Sequence, residues 1–144
     1  MQVKVEISPE YQTPCAVIYT HAMTDEVRRA MEYFESPEGA LIAQKGEKLL
    51  VLRPRDIYMA RIEDGEAFLY TERERLISRR RLYELSAQLG NGFLQISKSC
   101  LVNANYLDSI ESGFGGSLCL KLKNGLSEYV SRKYLPALKK YLGM

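Results

Sequence analysis

Three short turn signals decide most of what this chain can become. Lys45-Gly46, Asp64-Gly65 and Asn124-Gly125 each lie between brief runs in which apolar and polar residues alternate. Alternation with a period of two marks a strand with one buried face, and Asp-Gly or Asn-Gly between two such runs marks a two-residue hairpin turn. The spacing therefore predicts strands over Ala40–Gln44 and Lys48–Leu52, over Asp56–Ile62 and Ala67–Thr71, and over Leu118–Leu122 and Ser127–Val130. Residues 72–78, Phe93–Lys98, Ser99–Val102 and Leu107–Glu111 read as further strands. Two helices interrupt them. Leu82, Leu85 and Leu89 recur at helical spacing before Gly90-Asn91-Gly92, and Leu135, Leu138 and Leu142 do so at the end of the chain. Pro136 would break a helix interior, so the closing helix starts near Tyr134.

The front of the chain has a different texture. Val3, Val5 and Ile7 alternate with polar residues and predict a half-buried strand; Cys15–Thr20 reads as a second. Thr24 is a good N-cap, Asp25 and Glu26 suit the positive helix end, and Val27, Ala30, Met31 and Phe34 follow at helical spacing. This helix is expected to stop near Ser36-Pro37-Glu38-Gly39. The expected fold is thus mostly β (α+β overall), with a small β-β-α unit over 1–38 before a β-rich domain over 41–144. So small a unit cannot bury a core alone, and is expected to pack on the rest of the chain or on a second copy.

Charge divides the chain at the same place. Residues 1–40 hold three Lys/Arg against seven acids, a net of −4, and residues 41–144 hold seventeen against eleven, a net of +6. A basic back half suits phosphate, and it equally suits an ordinary solvated surface. No apolar run approaches the ~18 residues of a membrane span, and the opening MQVKVEISPE is no signal peptide, so a cytoplasmic location is expected. Three widely spaced cysteines and a single histidine argue against zinc or a disulfide framework. Cys100 and Cys119 are expected to fill apolar space, and Tyr58, Tyr70 and Tyr129 to belong to the core. There is no phosphate-binding P-loop, no GxSxG and no HExxH; Gly113-Phe114-Gly115-Gly116 lacks the downstream spacing of a phosphate loop. Neither an enzyme nor a cofactor is expected.

The chemistry concentrates in two loops. Phe93–Asn103 carries Lys98 between Ser97 and Ser99, and Gly125–Tyr134 carries Arg132 and Lys133 beside Ser131. Cations and hydroxyls donate to phosphate oxygens, and Arg or Lys can donate to O6 and N7 of guanine. On chemistry alone, solvated strand ends account for these loops equally well.

The two loops resemble the LytTR DNA-binding domain family. Phe93, Ile96, Lys98, Ser99, Leu101, Val102 and Asn103, then Asn124-Gly125, then Val130-Ser131-Arg132 and Tyr134 follow that family's motifs in order and spacing. Asp56-Ile57-Tyr58 and the Leu82/Leu85/Leu89 helix also fit, so the likeness covers about residues 41–142. Gln95 and Ser97 depart from the common Arg and His, and Arg61 stands where many members have Glu. The resemblance implies elongated antiparallel sheets whose edge loops enter neighbouring major grooves. It implies base contacts from Lys98 and Arg132, and phosphate contacts from Ser97, Ser99, Ser131 and Lys133. A third base-contacting position falls in the Glu63–Ala67 loop, which offers Asp64, Glu66 and Ala67 rather than a histidine. The run Arg73, Arg75, Arg79, Arg80 and Arg81 either extends the phosphate footprint, with Arg73 and Arg75 as contacts, or solvates a strand and helix face. Residues 1–38 are too short for a phosphorylatable receiver, so the resemblance is to short regulators of transcription without one. It implies double-stranded DNA as partner, with repeated half-sites, a homodimer, and a membrane-embedded inhibitory protein. The competing reading is a protein-interaction module acting on an acidic or membrane-embedded regulatory partner. RNA binding would need exposed aromatic platforms.

Overall fold

A computed structural model describes residues 1–35 and 40–144. The chain divides into two compact units, Met1–Ser36 and Pro37–Met144.

Among its described residues the first unit contains one regular element, α1 (Asp25–Glu35). Thr24 caps it as expected: its Oγ1 accepts the Val27 N–H at 3.2 Å and its carbonyl accepts the Arg28 N–H at 3.0 Å. The expected stop at Ser36–Gly39 lies outside the described residues. The two strands expected before this helix do not form. Residues 1–24 pair with no strand, and Val3, Val5 and Ile7 are 85%, 77% and 95% exposed. Alternation supplies a strand-capable surface, but a strand also needs a neighbour for its N–H and C=O groups, and none is present among the described residues.

In the second unit the turn signals are realised. β1 (Leu41–Lys45) and β2 (Lys48–Leu52) form one hairpin, β3 (Met59–Glu63) and β4 (Glu66–Tyr70) the next, and β5 (Arg75–Ser78) returns beside β4. At the β3–β4 turn Asp64 and Gly65 have φ of 50° and 80°, the left-handed pair that a tight two-residue turn demands. Two expected strands are shorter than their apolar patterns. Pro54–Asp56 forms a 3₁₀ turn, in which the Asp56 carboxylate accepts the Arg53 N–H at 2.8 Å, so β3 starts only at Met59. Residues 71–74 make a turn, closed by Thr71 N–H to the Glu74 carbonyl at 2.9 Å and Glu74 N–H to the Thr71 hydroxyl at 3.1 Å.

α2 (Leu82–Leu89) leads to β6 (Phe93–Ser97) and β7 (Cys100–Asn103). These complete a seven-stranded antiparallel sheet in the order β2-β1-β5-β4-β3-β7-β6. β8 (Leu107–Ser112), β9 (Leu118–Leu122) and β10 (Ser127–Val130) form a second, three-stranded sheet, and α3 (Leu135–Leu142) closes the chain with Pro136 in its first turn.

One face of the large sheet is buried along its length and the other only over β4, β3, β7 and β6, while Ile42, Leu49 and Val51 of β1 and β2 stay exposed. One face puts Leu41, Ala60, Leu69, Leu76 and Leu101 against Leu85 and Leu89 of α2. The other puts Met59, Ile96, Cys100 and Val102 against Leu120, Leu122 and Val130 of the small sheet and Leu138 of α3. Cys100 is buried, which pushes its thiol up to about 12, and Cys119 is half-buried. Tyr70 is buried and Tyr58 stacks on Tyr106 with ring centroids 3.9 Å apart. Tyr129 departs from expectation and is 65% exposed, because β10 turns Val130 inward and its neighbour outward.

Candidate nucleic-acid interface

The first loop is the turn between β6 and β7. The Ser97 hydroxyl accepts the Ser99 N–H at 3.2 Å and lies 3.5 Å from the Ser99 hydroxyl, which draws the backbone tight and leaves the Lys98 side chain in solvent. The second loop joins β10 to α3. The Ser131 carbonyl accepts the N–H groups of Tyr134 and Leu135 at 3.0 and 3.1 Å, fixing the start of the helix and leaving Arg132 and Lys133 exposed. Lys133 lies 5.7 Å from the Tyr134 ring centre.

One backbone contact brings the loops together. The Ser131 N–H donates to the Ile96 carbonyl at 2.8 Å, bridging the outer edge of the large sheet to β10 of the small one. With ~3.8 Å between successive Cα atoms, the Cα atoms of Lys98 and Arg132 stand no more than about 15 Å apart. A second contact, Ile62 N–H to the Ser99 carbonyl at 2.8 Å, sets the Asp64-Gly65 turn at the same end. Arg79, Arg80 and Arg81 leave β5 there too, since Ser78 is paired with Ala67 just past that turn. Among the described residues neither Lys98, Arg132 nor Lys133 forms an ion pair, whereas Arg80 meets Glu84 at 3.6 Å.

Lys98, Arg132, Lys133, Ser97, Ser99 and Ser131 thus converge on one end of the domain. Arg73 and Arg75 do not join them. Arg73 lies in the 71–74 turn at the far end of the β4–β5 hairpin, with Arg55, Asp56, Tyr58 and Tyr106 around the same shallow depression. Arg75 is held by the Glu63 carboxylate and its guanidinium sits 3.7 Å above the Phe68 ring.

A second ionic group went unanticipated from sequence. Arg61 on β3 is held between the carboxylates of Glu63 and Glu128, and Tyr70 Oη bonds both the Arg61 guanidinium and Glu63 at 2.9 Å. Glu128 lies on β10, so Arg61 ties the large sheet to the small one. Burial opposes the charge on Glu63, but hydrogen bonds from Arg61, Tyr70 and Arg75 outweigh it and hold the carboxyl below the usual glutamate range. Arg61 and Glu128 are separated by 67 positions, and no local pattern joins them.

Comparison with known proteins decides the family. The model of the LytTr DNA-binding domain matches residues 47–143. The chain belongs to the LytTR DNA-binding domain family. An uncharacterized HTH-type transcriptional regulator of Staphylococcus aureus strain NCTC 8325 is 27% identical over 104 residues, which cover 72% of this chain and 71% of that one. The sensory transduction protein LytR of Streptococcus agalactiae serotype V is 30% identical over 99 residues, 68% of this chain and 40% of its own length. Among solved structures, the LytTr DNA-binding domain of a methyl-accepting/DNA response regulator from Bacillus cereus superposes with a TM-score of 0.70 at 18% identity, covering 75% of this chain and all of that one. The LytTR fold accounts for both sheets and the helices between and after them. Among the described residues no helix is long and apolar enough to cross a membrane, and no group of acids, histidines and cysteines is placed to hold a metal ion.

Proposed function

We propose that this LytTR protein regulates transcription by reading duplex sequence with Lys98 and Arg132, whose loops enter the major groove. The observation that carries the reading is the Ser131–Ile96 backbone bond, which holds two exposed cations, unpaired with any acid among the described residues, at one end of the domain. A spacing of no more than about 15 Å suits a major groove ~12 Å wide. Arg132 is suited to fork onto guanine O6 and N7, and Lys98 to reach the same acceptors as a point charge. Ser99, Ser131 and Lys133 are suited to the flanking phosphates; Ser97, whose hydroxyl already accepts the Ser99 N–H, also braces the turn. Arg75, occupied by Glu63, and Arg73, at the far end, stand outside this footprint. Asp64 and Glu66 put negative charge on the third loop, which is therefore a poor phosphate contact.

Selection of bound sequences from random duplexes, run with the wild-type chain and with Arg132→Ala, tests this. The wild type is expected to enrich a repeated motif, and the variant to lose the guanine preference at one position of it. Enrichment of the same motif by both proteins refutes base reading by Arg132.

A further inference from the structure

The first unit carries an apolar surface that it does not itself cover. Val3, Val5, Ile7, Val17 and Tyr19 are all 66% exposed or more, and residues 1–24 form no ladder with any strand. What would cover it can be read from the segment's own order of residues. Antiparallel pairing of Gln2–Ser8 with a second copy, centred on Val5, sets residue i opposite residue 10 − i. Val5 then faces Val5, Val3 faces Ile7, Lys4 faces Glu6 and Gln2 faces Ser8. Every apolar residue meets an apolar one, and each charge meets its opposite. Within one copy Lys4 and Glu6 already pair at 3.3 Å, with side chains 85% and 65% exposed, so the exchange to a partner displaces only a solvent-screened contact. A shift of the centre by one residue, to Lys4 or Glu6, puts like charge on like charge, so the sequence specifies one register.

We infer that Gln2–Ser8 is a self-complementary strand through which two copies of this chain join about a two-fold axis centred on Val5. The ladder satisfies backbone groups of residues 2–7 that form no ladder bond among the described residues of one copy, while the Ser8 carbonyl at its end already accepts the Tyr11 N–H at 3.1 Å. It also gathers Val3, Val5 and Ile7 of both copies onto one face. A two-stranded ribbon alone is marginal in water, and Val17 and Tyr19 of the same units offer apolar cover. Two joined copies would present two sets of the Lys98 and Arg132 loops, matching the repeated half-sites; only this last consequence rests on the reading above.

The test is sedimentation equilibrium of the full chain and of Lys4→Glu and Glu6→Lys, alone and mixed. The wild type is expected to be a dimer at tens of micromolar. Each variant opposes like charges at two symmetric positions and is expected to dissociate about tenfold more readily. An equimolar mixture of the two restores opposite charges at both positions and is expected to form the heterodimer. A monomeric wild type, or a mixture that sediments as its separate components, overturns the inference. Register is checked in a Cys15→Ser background: Val5→Cys is expected to crosslink between copies, since directly opposed residues lie ~4.5–5.5 Å apart, whereas Val3→Cys is not. Equal crosslinking at both positions overturns the Val5 centre. Binding of a single half-site duplex by all variants separates the two readings: its loss in every protein, the wild type included, counts against DNA reading and leaves the dimer measurement standing.

Discussion

Arg132 and Arg61 are the same residue type, close to the same seam between the two sheets, in opposite circumstances. Arg61 is half-buried, held by two carboxylates and a phenol. Arg132 is exposed and, among the described residues, unpaired. The first has both terminal nitrogens engaged inside the protein, with its Nε buried and without a hydrogen-bond partner among the described residues, and the second keeps its donors in solvent. The difference teaches that a basic surface is not one thing. Net charge counts both arginines alike, yet only the exposed one has donors to offer a base edge.

This contrast can be broken by substitution. Arg61→Ala leaves the Glu63 and Glu128 carboxylates without their shared cation and is expected to cost about 2–4 kcal/mol of folding stability. Urea denaturation measures this, and the protein that remains folded should keep the wild-type order of preference among duplexes. Arg132→Ala and Lys98→Ala are expected to do the reverse. Each should change stability by less than about 0.5 kcal/mol but cost about 1–3 kcal/mol on the preferred site, read by titration against preferred and random duplexes. Equal loss on both duplexes would mean that these side chains meet phosphate only.

Acid sharpens the comparison further. The folded Glu63 carboxyl titrates below its unfolded value, so its contribution to stability is present above the ordinary glutamate range and is lost as pH falls through the lowered folded value. Glu63→Gln should therefore be less stable than wild type at neutral pH, with the gap narrowing below about pH 4. Denaturation at several pH values checks the sign; a gap that widens in acid would contradict the Arg61–Glu63–Tyr70 arrangement. The smallest effect is expected from Lys133→Ala, which should weaken binding alike on every sequence and flatten the dependence of log affinity on log salt by about one unit.

How much of this could be read in the sequence depended on the range of the physics involved. Hairpins at Asp64-Gly65 and Asn124-Gly125 were legible because a turn is decided by two residues and their immediate flanks. The Lys98 and Arg132 loops were legible because each motif is contiguous. Their mutual approach was only implied by family resemblance, since Ser131 and Ile96 meet through backbone atoms that carry no signature. The Arg61–Glu128 pair was illegible for a related reason: it spans two sheets whose docking no local pattern describes. The front strands fail in the opposite direction. Val3, Val5 and Ile7 present a sound local pattern, and the missing ingredient is a partner. Tyr129 shows a smaller error of the same kind, in which membership of a strand was read correctly and the face was not.

The bond from Ser131 to Ile96 uses no side chain. The frame that sets the gap between Lys98 and Arg132 is therefore independent of the side chains at 98, 132 and 133, whereas Ser97 braces its own turn through its hydroxyl. A descendant of this chain could exchange Lys98 or Arg132 for residues with other donors and acceptors, and so acquire a different operator, without first rebuilding the scaffold. On the proposed reading, recognition and architecture are separately heritable here, which makes positions 98, 132 and 133 a natural library for retargeting the domain.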